Sequence, residues 1–459
     1  MNFKVAAAPP TEIPAADLLA AVAPRIRHLK EGTPEQKVCA MSALSKVAAY
    51  PKIRALIGET PGAIDALVAL LSPTQHHQIS LAASITLTNL AHDTDNQTQI
   101  CKTANALEYI VAQLPPTNPL HNQQFAANAL KVLALENPAT QTQICKTPHA
   151  LEYLVAQLLR PEDATQQTAA KALANLAGND ESRGLIGQTK DAIQNLAQLL
   201  EPNHPLLGKP THPFVQAAAI LALRELACIA PNRVLIRDTP GAIDALVKLF
   251  KTSAPDSEIK QSAAIALGNL AYLPANQALI GKADGVIDAL GEALQSPILK
   301  LQLVAAEALA ALACDRNNQD TLGAHPTIIN DLIARLRIPT PELLDPEERQ
   351  RVALQIAELQ IAAANALGNL ASDHDVNKNH IGQNTDAIRD LVPLLEKHDP
   401  LLDEAITLVV QRAAAAALGN LGVNHRGNID KIQGIKGADE NLCRIHSEKA
   451  AATQSKAAA

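Results

Sequence analysis

The sequence contains no tryptophan, and aromatic residues make up only 2% of its 459 residues. A core assembled around large rings is therefore excluded, as is recognition by stacked indoles. Glycine-rich phosphate loops, serine or cysteine nucleophile motifs and paired-carboxylate motifs are also missing. No catalytic residue and no cofactor is implied. Six cysteines, Cys39, Cys101, Cys145, Cys228, Cys314 and Cys443, show neither close pairing nor metal-type spacing. Free thiols fit a reducing compartment, so the expected localisation is cytoplasmic, or also nuclear in a eukaryote. His76-His77 and His92-Asp93-x-Asp95 lack partners at ligand spacing, and no metal is expected. A net charge of −7 argues against a general nucleic-acid binder, which needs concentrated Lys and Arg. The opening Met-Asn-Phe-Lys-Val-Ala lacks the apolar core of a secretory signal, and no membrane span is expected. Asn2 excludes myristoylation, and the Ala-Ala-Ala end is no prenylation box.

What is present is repetition. The stretch Gln261 to Leu294, QSAAIALGNLAYLPANQALIGKADGVIDALGEAL, recurs with variation. The last Leu of its Ala-Leu-x-Asn-Leu pattern falls at Val47, Leu90, Leu133, Leu176, Leu226, Leu270, Leu312, Leu370 and Leu421. Five of the eight intervals are 42–44 residues, and the others are 50, 58 and 51. A second anchor keeps phase at Ile57, Ile100, Ile144, Ile186, Ile236, Ile280, Leu322, Ile381 and Ile432. A third opens the next helix at Ile64, Leu107, Leu151, Ile193, Ile243, Ile287, Ile329 and Ile388. Helical periodicity at this repeat length marks an α-solenoid, whose units bury apolar faces only against their neighbours. The expected domain plan is a tail at 1–14, one array with incomplete capping repeats at 15–446, and a tail at 447–459.

Within a unit the pattern predicts a short first helix (Asn276 to Gly281), a second (Val286 to Leu294) and a long third (about Ile298 to Ala313). Pro61-Gly62, Pro148, Pro240-Gly241, Asp284-Gly285 and Pro326 mark turns between first and second helices. Gly58, Gly187, Gly281, Gly323 and Gly382 follow the second anchor, where a helix C-terminus would favour left-handed geometry. Pro24 is expected to kink the helix Ala15 to Lys30. Extra residues fall between second and third helices at 201–213, 337–355 and 396–403. In the middle one, Asp345 suits an N-cap and Pro346 the first helical position, with periodicity running on to Ala371.

The unit resembles an armadillo repeat. Gly62-Ala63-Ile64-Asp65-Ala66-Leu67-Val68-Ala69-Leu70-Leu71 and Gly241-Ala242-Ile243-Asp244-Ala245-Leu246-Val247-Lys248-Leu249-Phe250 carry that family's pattern almost whole. The resemblance implies an all-α, right-handed superhelix of about eight to nine three-helix repeats, serving as a non-catalytic protein-interaction scaffold.

The residue before the first anchor is Asn at Asn89, Asn175, Asn269, Asn369 and Asn420, and Lys46, Val132, Glu225 or Ala311 elsewhere. An amide offers a donor and an acceptor together and can clasp a peptide group. The resemblance implies that these Asn line a groove and hold an extended partner segment. A helix-to-helix hydrogen bond that sets repeat pitch would use the same residues. One turn earlier stand Ile85, Asn128, Lys171, Leu221, Ile265, Ala308, Asn365 and Ala416. Ile85, Lys171, Ile265 and Asn365 join the Asn ladder as candidate peptide-binding residues. Nuclear-import adaptors of the family carry Trp in this row, and this chain has none; Lys171 and Glu225 are few and of mixed sign, so the groove is expected to be neutral. Gly268, Gly368 and Gly419 precede the Asn and imply close approach by a helix or a ligand. A transport or targeting adaptor is the alternative function, and an enzyme on a helical-repeat frame a more distant one.

Overall fold

A computed structural model describes residues 15–339, 345–396, 400–445 and 447. The expected tail at 1–14, residues 448–459, and parts of two insertions, 340–344 and 397–399, lie outside the described residues. The described chain is helical without named strands, an all-α solenoid of armadillo-like repeats. It divides into two compact units, Met1–Asn232 and Arg233–Ala459.

We label only the long third helix of each repeat. The first unit holds α1 (Pro34–Val47), α2 (His77–Leu90), α3 (Leu120–Leu133), α4 (Asp163–Leu176) and α5 (Pro213–Leu226). The second holds α6 (Glu258–Ala271), α7 (Leu299–Leu312), α8 (Pro346–Ala371) and α9 (Glu404–Gly422). Within each unit every third helix packs on the next. The spelled-out repeat behaves as its pattern predicts, with helices Pro274–Gly281, Val286–Leu294 and Leu299–Leu312.

All three anchor rows are core. Leu90, Leu176, Leu270, Leu421, Ile57, Ile100 and Ile64 are fully buried. Burying each such side chain contributes about 1.5–3 kcal/mol. Val47, the first anchor, is only half-buried, as befits a terminal repeat.

Turns and caps follow local chemistry. The residue before six of the second helices adopts a left-handed conformation: Gly62 (φ 74°), Gly241 (φ 76°) and Gly285 (φ 66°), but also Asn105, His149 and Asp191; Thr327 and Asn384, before the last two, do not. Asp93, Asn137, Asn179 and Asp315 cap the first helices through their side chains. Asp345 caps α8, Pro346 opens it, and the helix runs unbroken to Ala371. The helix Ala15–Glu31 also continues through Pro24.

Two expectations need correction. Gly58, Gly187, Gly281, Gly323 and Gly382 have no left-handed φ; they lie in the last turns of the first helices, for a packing reason given below. And one helix among the described residues, Glu404–Gly422, is long and apolar enough to cross a membrane. Its buried Val410, Ala414, Leu418 and Leu421 form repeat core, and it packs on α8. The apolarity of these positions is that of a solenoid interior.

Candidate peptide-binding groove

The ladder Asn residues are tied to the preceding repeat. The Nδ2 of Asn89 donates to the Ser45 carbonyl (3.2 Å) and Oγ (2.7 Å). Asn175 donates to the Lys131 carbonyl (2.9 Å), Asn369 to that of Ala310 (2.8 Å) and Asn420 to that of Gly368 (2.9 Å). Each acceptor lies two residues before the preceding anchor. The helix-to-helix bond is therefore made at all four. All four side chains remain half-exposed. An amide has two N–H groups and a carbonyl. In Asn175 and Asn420 the second N–H and the carbonyl have no partner among the described residues. Asn369 also approaches the Cys314 Sγ at 3.3 Å. Asn269 is half-exposed in the same row.

The row one turn earlier is partly as expected. Ile85 and Ile265 are half-exposed, and Lys171 and Asn365 exposed. Ala308 is fully buried, however, and the outward residue of that repeat is Glu307. It stands four residues before Ala311, the degenerate Asn slot, so the register assigns the row to Glu307.

Charged residues lie on and beside this row, Lys131, Lys171 and Glu225 in the first unit and Glu307 and Glu358 in the second. In the first, burial and then the Lys171 charge lower the Lys131 pKa. Burial, then Arg54 and Lys131, lower that of His92. In the second, the surrounding helices partly enclose the Glu307 carboxylate. Burial and then the Glu358 charge raise its pKa. The mixed sign of Lys171 and Glu225 stands in the first unit, and Glu307 and Glu358 add two carboxylates in the second. Lys131 escapes the row pattern because it precedes the Asn slot by one, and Glu358 because it stands two turns before the row residue Asn365.

In the second unit α6, α7 and α8 line an open cavity of about 420 Å³, with Tyr272, Gln277, Glu307, Glu358, Asn365 and Asn369 among its walls. Approach distances separate the three glycines that precede the ladder Asn. A Cβ on Gly368 would stand 3.1 Å from the Ala417 Cα, so the two helices approach closely at that Gly. At Gly268 the gap to Ala308 is an ordinary 3.7 Å, and at Gly419 nothing lies within 4 Å.

A second Asn row lies outside the expected sites. Asn96, Asn276, Asn318, Asn377 and Asn428 stand four residues before the second anchor and are buried. Asn318 donates to the Leu312 and Gln277 carbonyls, at 3.1 and 2.9 Å, and Asn377 to those of Leu370 and Gln319, both at 3.0 Å. The regular spacing from Ile100, Ile280, Leu322, Ile381 and Ile432 is the signal in the sequence that marks this row.

Comparison with known proteins bears on the same residues. The profile of the PUL domain matches residues 25–309, more than half of the chain. The chain belongs to the PUL domain family. That domain is itself an armadillo-like helical repeat, and its match covers the first unit's α1 to α5 and reaches Glu307 and Leu309 in the second. No curated protein matches this PUL-family chain. Among solved structures it is similar to a designed armadillo repeat protein, at 24% identity and a TM-score of 0.49 over 54% of this chain and 99% of the other. An engineered protein matches at 29% identity and a TM-score of 0.49, over 54% of this chain and 96% of the other. The repeat fold is that of a protein-interaction scaffold in general.

Proposed function

We propose that this PUL-family chain is a non-catalytic scaffold that holds an extended polypeptide segment against its third helices. The observation that supports this reading is the state of the ladder amides. Asn175 and Asn420 each use one N–H on the neighbouring helix and keep a second N–H and a carbonyl uncommitted. A side chain fixed in this way loses little rotamer freedom when a ligand binds. Its remaining donor and acceptor match one peptide group of a bound segment. Ile85 and Lys171 in the first unit, and Ile265 and Asn365 in the second, flank the ladder and would contact side chains of a segment bound to that unit. A targeting adaptor would use the same face and differ only in the segment it accepts. The compartment we assign is the cytoplasm.

The test is selection of displayed random peptides on the folded chain, followed by titration of a selected peptide against Asn175→Ala, Asn369→Ala and Asn420→Ala. One hydrogen bond contributes about 0.5–1.5 kcal/mol, so the variants that touch the peptide should bind it about 2- to 12-fold more weakly. Unchanged affinity in all three, with helicity retained, would assign the ladder to repeat stacking alone.

A further inference from the structure

The cavity between α6, α7 and α8 faces the ligand side of the groove with more acceptors than donors. Glu307 stands on α7 and Glu358 on α8, and neither has an ion-pair partner among the described residues. A third acceptor comes from Gln277, on the helix Pro274–Gly281 and only 7% exposed. Its Nε2 donates to the Ala271 carbonyl at 2.9 Å. Its Oε1 has no partner among the described residues, and the repeat register shows why. In the first unit the equivalent Gln97 and Gln141 have Oε1 filled by the next repeat's N-cap, Asn137 at 3.3 Å and Asn179 at 3.0 Å. Here the next N-cap is Asp315, whose side chain accepts from the Asn317 and Asn318 amides. A carboxylate cannot donate, so the Gln277 carbonyl is left to the cavity it lines.

We propose that this cavity is a binding pocket for an arginine side chain of a polypeptide partner. The inference rests on the groove reading above and names the chemistry of one position in it. Acceptors on three different helices suit a planar cation with five N–H donors better than a compact ammonium. Tyr272 forms a further wall, and its ring already carries the Arg233 guanidinium at 5.5 Å from the centroid. A bound guanidinium would offset both causes of the raised Glu307 pKa, burial first and then the Glu358 charge. Asn365 and Asn369 stand beside the cavity on α8 and would hold the peptide backbone. Most of the pocket lies beyond residue 309, outside the stretch matched to the PUL domain.

The experiment uses fluorescein-labelled nonapeptides with one central arginine, lysine or citrulline in an otherwise identical uncharged sequence. Citrulline keeps the shape of arginine and removes its charge. Anisotropy titration of the full chain should show the arginine peptide binding at least about tenfold more tightly than the citrulline peptide, as charge-assisted hydrogen bonds require. In the Glu307→Gln/Glu358→Gln variant that preference should collapse to within about twofold while citrulline binding stays unchanged. Cys314 also lines the cavity, so bound peptide should slow its alkylation by N-ethylmaleimide. Equal binding of the arginine and citrulline peptides, or a preference untouched by the double substitution, overturns the proposal. If no peptide binds, N-acetyl-arginine amide is the remaining probe. Its protection of Cys314, dependent on Glu307 and Glu358, would retain the pocket and refute the groove reading, and no protection would refute both.

Discussion

Gly58 and Asn96 are complementary halves of one contact between successive repeats. A Cβ at Gly58 would lie 1.6 Å from the Asn96 Oδ1, so the glycine leaves the room that the amide fills. The admitted Nδ2 donates to the Arg54 and Leu90 carbonyls, both at 3.1 Å. The pairing recurs at Gly187 and Asn232, Gly281 and Asn318, Gly323 and Asn377, and Gly382 and Asn428, where a Cβ on the glycine would always fall 1.9–2.0 Å from Oδ1. Where the slot holds Cys101 or Cys145, the following repeat has the smaller Thr140 or Ser182. The slot and its partner thus vary together along this one chain. Arg237 before Asn276 departs from the rule, and there the Asn276 Oδ1 is buried without a partner.

The first prediction follows from that size match. Gly281→Ala is expected to destabilise the chain by about 1–3 kcal/mol, the usual cost of overpacking a tight interior. Asn318→Ser, which imitates the Ser182 repeat, should cost stability by itself through lost hydrogen bonds. Combined, the two should cost less than their sum, with a coupling of about 0.5–3 kcal/mol. Urea unfolding of the four proteins measures this directly. Strict additivity would show that the glycine and the amide do not share the space.

The ladder Asn should behave differently from its groove neighbour. Asn175→Ala removes a bond to the Lys131 carbonyl and is expected to lower stability by about 0.5–1.5 kcal/mol. Asn365 is exposed, and Asn365→Ala should fall within about 0.5 kcal/mol of wild type. Denaturant midpoints decide the matter. Equal midpoints for both variants would remove the structural role from Asn175.

These residues also show what a sequence alone discloses. The three anchor rows are legible because burial imposes one apolar identity at a fixed phase. The start of α8 is legible because Asp345 and Pro346 act locally on their own helix. The Gly281–Asn318 pair is not, since its meaning lies in a contact 37 residues away, and the glycine looks like a helix end. Glu307 is hidden by a one-residue slip of register to Ala308, in a repeat whose Asn slot holds Ala311. Gln277 reads as an ordinary polar residue, because its open carbonyl depends on Asp315 in the next repeat.

Thiol reactivity should divide along burial. Cys101 and Cys145 are buried, and burial pushes both thiols up to about 12. Cys39 and Cys443 are exposed. The thiolate is the reactive form, so a brief iodoacetamide pulse at about pH 8 should label Cys39 and Cys443 and leave Cys101 and Cys145 unlabelled until denaturant is added. Site-resolved mass spectrometry reads the outcome. Rapid labelling of Cys145 in the folded protein would contradict its placement between repeats.

The pH dependence of stability offers a test of the Glu307–Glu358 relationship that needs no ligand. Burial, and after it the Glu358 charge, hold the folded Glu307 pKa above its ordinary value of 4.5. Between the unfolded and folded pKa values the native state binds the proton more tightly, so this group makes stability fall as pH rises through that window. Above the folded pKa its destabilisation is complete, and below 4.5 it is absent. Glu307→Gln keeps the shape and removes the charge. The variant is therefore expected to melt higher than wild type at about pH 7, with the difference shrinking as pH falls toward 4.5. Glu358→Gln should produce part of the same gain, because it removes the secondary cause and leaves burial in place. Thermal melts across this range measure both variants. A Glu307→Gln protein less stable than wild type at neutral pH would mean that the carboxylate is already satisfied within the fold, and the arginine pocket would lose its electrostatic basis.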